Sequence, residues 1–174
     1  MPRHLDERLA LRFPALYQRL MRRAAALPVG SPFRQRLLKR IASRGLEAFS
    51  RGDAEPVLLL FHPDVEINFI GGEALGLSTH YHGHEGVRAW IRDWRSQWGD
   101  YDEVVEQLID LGDGLVTRTK ITTRGERSGM ELTRTAGNHF HISDGKVTRW
   151  DAYFDYERAA TDLGLAPKVG SPGS

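Results

Sequence analysis

The chain has 174 residues, 27% of them charged and 40% hydrophobic, a composition that suits one ordinary globular domain. It contains no cysteine, which excludes disulfides, thiolate metal sites and a cysteine nucleophile. The formal net charge of +1 conceals a division, because residues 1–51 carry a balance of +9 and the remainder −8. A basic arm is thus joined to an acidic body. Packing of one on the other is the first expectation, and contact of residues 1–50 with an anionic membrane the alternative. No nucleic-acid partner is expected. No apolar run approaches a membrane span, and the Arg-rich start with Asp6 and Glu7 does not read as a secretory signal, so a cytoplasmic location is expected.

Residues 5–27 place Leu9, Phe13, Leu16, Tyr17, Leu20, Met21 and Ala24 on one helical stripe, with arginines opposite. Pro14 starts a fresh helix or kinks this one. At 29–32, V-G-S-P is a stop and restart: Gly30 breaks, Ser31 can cap, and Pro32 fits the first helical position. A second helix runs to about Ser50, and Asp53 can cap a short third over Ala54–Phe61. Val65–Ile70 reads as a strand, followed by a Gly- and His-rich loop. His84–Trp98 is a helix by the spacing of Val87, Trp90, Ile91, Trp94 and Trp98. Strands over about 101–111, 115–124 and 129–142 follow, separated by G-D-G, G-E-R-S-G and S-D-G turns. In the closing strand Thr148, Trp150, Ala152 and Phe154 share one face, while Arg149, Asp151, Tyr153 and Asp155 share the other. A short helix over Asp155–Leu163 ends the order.

Helices, one strand, one helix and then four consecutive antiparallel strands make an α+β order. Such a sheet curls around its helices into a cone with a pocket in its mouth. Residues 1–33 form a basic helical extension, 34–166 the cone domain and 167–174 a loose tail.

Four words, R-G-L-E-A-F-S-R-G-D at 44–53, F-H-P-D-V-E at 61–66, Y-H-G-H-E-G-V at 81–87 and D-G-K-V-T-R-W-D-A-Y-F-D at 144–155, resemble the SnoaL-like branch of the nuclear transport factor 2-like superfamily. The resemblance implies the cone fold, and a homodimer through the outer sheet face. It implies little about chemistry, because the superfamily includes isomerases, cyclases, epoxide hydrolases, dehydratases and non-catalytic subunits. Compared with limonene epoxide hydrolases, the water-positioning residues fall on Ile67 and Phe69, the Arg and first Asp on Lys120 and Thr122, and the second Asp on Ala152. Their proton-handling carboxylates are missing, which argues against that mechanism. The aspartate of polyketide cyclases also lands on Ala152, one residue from Asp151. Asp151 would serve only if a bulge shifted the register.

The expected function is binding of a small, mainly apolar ligand in the cone, with isomerase, cyclase or dehydratase chemistry as its catalytic form. A non-catalytic dimeric binding or partner-docking module using the basic helices is the alternative. Lys120, Asn138 and Asp151 are the candidate catalytic groups. Ile67, Phe69, Trp90, Trp94, Thr122, Arg134, Phe140, Trp150 and Ala152 join Lys120 and Asn138 as candidate pocket residues. On the strand 115–124 the family register turns Arg118, Lys120 and Thr122 inward, whereas polarity alone would hide Thr117, Thr119 and Ile121; the family register is adopted. His80, His82 and His84 straddle Gly83 at a helix start, and His139 and His141 lie on the outer face. Neither group is expected to hold a metal, and no cofactor is expected.

Overall fold

A computed structural model describes residues 2–73, 76–98, 101–124 and 131–165. Helices α1 (Leu5–Arg12), α2 (Pro14–Ala25), α3 (Pro32–Ser50) and α4 (Ala54–Leu58) come first. Strand β1 (Phe61–Ile70), the short β2 (His80–His82) and helix α5 (Gly83–Trp98) follow. Strands β3 (Tyr101–Asp110), β4 (Gly114–Arg124), β5 (Glu131–Ser143) and β6 (Lys146–Tyr153), then helix α6 (Tyr156–Asp162), complete the order. Strand β2 lies in the stretch read from sequence as loop. The expected turn at 125–129 and the tail from 167 lie outside the described residues.

The local chemistry explains the boundaries. Pro14 and Pro32 each sit in the first turn of their helix, where a missing N–H leaves no bond unmade. Asp144 and Gly145 both adopt positive φ, 49° and 73°, the geometry of a tight Asp-Gly hairpin turn between β5 and β6. This turn abuts α2: a Cβ on Gly145 would stand 2.8 Å from the Arg22 nitrogen.

The six strands form one sheet in the order β2-β1-β6-β5-β4-β3, with β1 and β6 parallel and the other neighbours antiparallel. Helix α5 packs on β1, and α3 on β3. Their apolar sides meet the inner sheet face in a core built on Phe49, Phe69, Val87, Trp90, Trp94 and Trp150. Outside, α6 packs on β5, and a Cβ on Gly137 would stand 2.5 Å from the Ala159 Cβ. Only glycine allows that approach.

Arg34 fixes the basic arm to the body. Its Nε and Nη2 donate to the two Asp110 oxygens at 2.7 and 2.9 Å, and its remaining donors reach the carbonyls of Ala25, Leu27 and Gly112. One guanidinium thereby joins α3, the end of α2 and the β3–β4 turn. Arg3 with Asp53, and Arg51 with Glu7, add further contacts at the N-terminus. The single apolar stripe read over 5–27 divides in two. Tyr17, Met21 and Ala24 turn toward the body, while Leu9, Phe13, Leu16 and Leu20 remain exposed.

Candidate functional site

Alternation decides which side chains enter the cone. On β6, Trp150 and Ala152 point inward beside Ile67 and Phe69 of β1, their parallel register partners. On β5, Ala136 and Asn138 point inward; Asn138 is opposite Ala152 on one side and Thr117 on the other. On β4 the inward residues are Thr117, Thr119 and Ile121, all buried, whereas Lys120 is exposed and Thr122 half-buried on the other face. The family register adopted for this strand is therefore corrected. Polarity gave the right face, because apolar and hydroxyl side chains go inward while Lys120 stays in water and Arg118 lies over the Tyr156 ring outside. Lys120 does not enter the cone.

Strand β3 contributes a residue that the sequence reading passed over. Its burial alternates, with Tyr101, Glu103 and Val105 inside, so a carboxylate sits between two core side chains. Glu103 is 9% exposed. The Thr119 hydroxyl donates to its Oε1 at 2.7 Å, and Asn138 also hydrogen-bonds the carboxylate. Burial pushes its pKa up to about 7, although both hydrogen bonds oppose that rise. The signal was the parity of Tyr101 and Val105; neighbouring Asp102 and Glu106 made the segment look like solvated edge.

Asn138 organises the polar centre. Its Oδ1 accepts from the Trp150 indole N–H at 2.9 Å, and its amide reaches Thr117 Oγ1 at 3.4 Å. Around this centre the cone is nearly full. Trp150 contacts Phe49, Phe61, Trp90 and Phe140 with ring centroids 5.0–5.9 Å apart. The residual space beside Glu103 is about 20 Å³, room for about one water molecule.

Two larger spaces adjoin it. Toward the open end lies a mouth of about 250 Å³ bordered by Trp94, Trp98, Ile121, Thr123, Arg134 and Phe154. Trp94, Ile121 and Phe154 also border the cavity at Glu103, so the two spaces share these three walls. Among the described residues, the indole N–H groups of Trp90, Trp94 and Trp98 are buried without an acceptor. Arg134 is exposed and lies over the Phe154 ring at 3.3 Å from its centroid, which places it at the rim rather than deep in the pocket. The second space, about 100 Å³, lies between α2, α3 and the sheet; Met21, Leu38, Ile41, Leu115, Phe140 and Trp150 are among its walls.

Asp151 lies on the outer face. Its carboxylate accepts from Asn68 at 2.7 Å and from Arg149 Nε at 2.9 and 3.0 Å. Burial raises its pKa, but these partners outweigh that and hold it below the ordinary range. With His139 and His141 it forms a cluster whose ligand-type atoms lie within 4.8 Å of one another. A divalent ion there would compete with the Arg149 guanidinium for both carboxylate oxygens. His80 and His84 turn to separate partners, Asn68 Oδ1 and the Phe61 carbonyl.

The comparisons fit this architecture. The family model for the SnoaL-like domain matches residues 42–150. The chain belongs to the SnoaL-like domain family. No curated protein is significantly similar to this SnoaL-like chain. Among solved structures, it resembles an NTF2-like protein of unknown function from Burkholderia pseudomallei at 23% identity, over 70% of this chain and 93% of that one, with a TM-score of 0.59. TerC, crystallised with polyporic acid, is 24% identical over 70% and 94% of the two chains, with a TM-score of 0.60. A SnoaL-like polyketide cyclase from Jannaschia is 16% identical over 74% and 92%, with a TM-score of 0.57. At these identities the structural likeness concerns the fold alone.

Proposed function

We propose that this SnoaL-like domain binds a small, mainly apolar molecule with one hydrogen-bond-accepting end in the mouth of its cone. There Glu103 serves as the proton-transfer group of an isomerase-, cyclase- or dehydratase-type reaction. The observation that carries this reading is a buried carboxyl, Glu103, hydrogen-bonded by Thr119 and Asn138 and raised in pKa by burial, beside a cavity that shares Trp94, Ile121 and Phe154 with the mouth. A general base works best when its pKa lies near the working pH. Neither Lys120, which is in water, nor Asp151, held by Arg149 outside, has that environment.

The chemistry follows from the positions. A ligand lying against Trp94 and Trp98 would place its carbonyl oxygen near Arg134 at the rim, and the buried indole N–H groups would reach it once a ring turned. Rotation of Trp94 or Phe154 would join the mouth to the cavity at Glu103. The carboxylate then removes a proton from the carbon beside the carbonyl, and negative charge moves to the oxygen facing the donors. Return of the proton to another carbon of a conjugated enolate isomerises the ligand. Attack of the enolate carbon on a second carbonyl carbon of the same molecule opens that C=O π bond and closes a ring, and the Glu103 proton passes to the new alkoxide.

A probe exists for the first step. Solvent deuterium should enter β-tetralone at the carbon next to its carbonyl when the protein is present, as read by proton NMR. Glu103→Gln should slow that exchange by about 100-fold or more, with the fold intact by circular dichroism. Exchange at the uncatalysed rate with wild-type protein would remove the catalytic part of the reading.

The non-catalytic alternative rests on the second space. Its walls between α2, α3 and the sheet are almost wholly apolar, and its Arg34 is already engaged by Asp110 and three carbonyls. Such a chamber would hold a hydrocarbon without altering it. Wild-type protein that retains an apolar molecule but gives no exchange would favour this reading.

A further inference from the structure

The outward side of α1 and α2 carries a row that neither the cone nor the body uses. Leu5 and Leu9 on α1, and Leu16 and Leu20 on α2, are each four residues apart, the spacing of one helix face, and Phe13 lies at the joint between the two helices. Each is between 50% and 71% exposed. The buried residues of the same helices, Glu7, Ala10 and Ala24, form a different row. The exposed stripe is thus surplus to the packing of the arm.

Arg8, Arg12, Arg19 and Arg23 run beside it, each three positions after one of its leucines. All four are exposed, and among the described residues none has an ion-pair or hydrogen-bond partner. Other cations of the arm behave differently: Arg3, Arg34, Arg40, Arg44 and Arg51 are paired to carboxylates. The positive charge of the arm therefore divides into one set paired to carboxylates, within the arm or on the body, and another presented to solvent along an apolar row.

We propose that this face of α1 and α2 docks on an anionic lipid surface. Leucine and phenylalanine would enter the boundary between headgroups and acyl chains while the arginines meet the phosphates and carboxylates. Charge selects this occupant over a second copy of the same face, because symmetric pairing would bring two rows of unpaired arginines together. No helix among the described residues is long and apolar enough to cross a membrane, so the contact is one of lying on the surface.

The test uses the full chain and sedimentation with phosphatidylcholine vesicles, with or without phosphatidylserine. The chain should sediment with serine-containing vesicles and remain in solution with neutral ones, and added salt should release it. Arg19→Ser combined with Arg23→Ser should weaken binding about tenfold or more. Leu16→Gln combined with Leu20→Gln should abolish sedimentation with little change in melting temperature, since neither side chain belongs to the buried core. Equal partition onto both vesicle types, or none onto either, would overturn the proposal. Likewise, loss of an oligomer in the leucine variant without any vesicle binding would assign the face to self-association.

Discussion

At the scale of single residues, Glu103 carries a cost that its surroundings do not remove. A carboxyl with a folded pKa near 7 and an unfolded value near 4.3 prefers its neutral form in the fold. The stability linked to that proton is fully present below about pH 4 and declines as pH rises, and it is lost above about pH 7. Glu103→Gln removes the charge while keeping a side chain able to bond Thr119. At pH 8 the variant should therefore be more stable than wild type, by on the order of 3 kcal/mol. The difference should vanish near pH 4. Chemical denaturation across that pH range reads the effect directly, and a pH-independent difference would mean that ionisation of Glu103 is not its source.

The same residue shows where sequence reasoning stopped. The even-numbered side chains of β6 were legible because Trp150 and Ala152 alternate with charged neighbours, so their inward face was plain. Asn138 was legible as the polar member of an apolar row. Glu103 was not, since one buried acid among Asp102 and Glu106 has the same letters as a solvated strand. Lys120 failed for the opposite reason: a family word set the register where local polarity had already given the buried face.

At the scale of elements, proline and glycine marked the helix breaks, while the end of α4 at Leu58, the start of β1 at Phe61 and the attachment of the arm did not show in the sequence. Nothing in the letters around Arg34 distinguishes it from Arg36 or Arg40. Only the fold brings it to Asp110, 76 residues away. Both partners are almost fully buried, so removal of one leaves the other charge without compensation. Arg34→Ala should cost about 3–5 kcal/mol, seen as a lower midpoint in urea. Burial pushes the Asp110 carboxyl up, but Arg34 outweighs this and holds it low. The stability from this pair should accordingly persist above the ordinary carboxylate pKa and fade as pH falls through the depressed one. A variant midpoint equal to that of wild type would show that α2 and α3 are held by their apolar contacts alone.

At the scale of the whole molecule, the basic arm and acidic body are two parts of one packing problem. Part of the arm's charge neutralises carboxylates at the ends of the sheet and helices, and the remainder faces outward with the leucines. Inside the body, aromatic side chains fill most of the cone and leave Glu103 beside a small cavity that shares walls with the mouth. The proposed proton transfer depends on that group holding its proton near neutrality. Carbon NMR of the glutamate side chains across a pH titration, with Glu103 assigned by its glutamine variant, measures this directly. A titration midpoint near 7 is the result predicted; a midpoint in the ordinary range, about 4.3, would contradict the account.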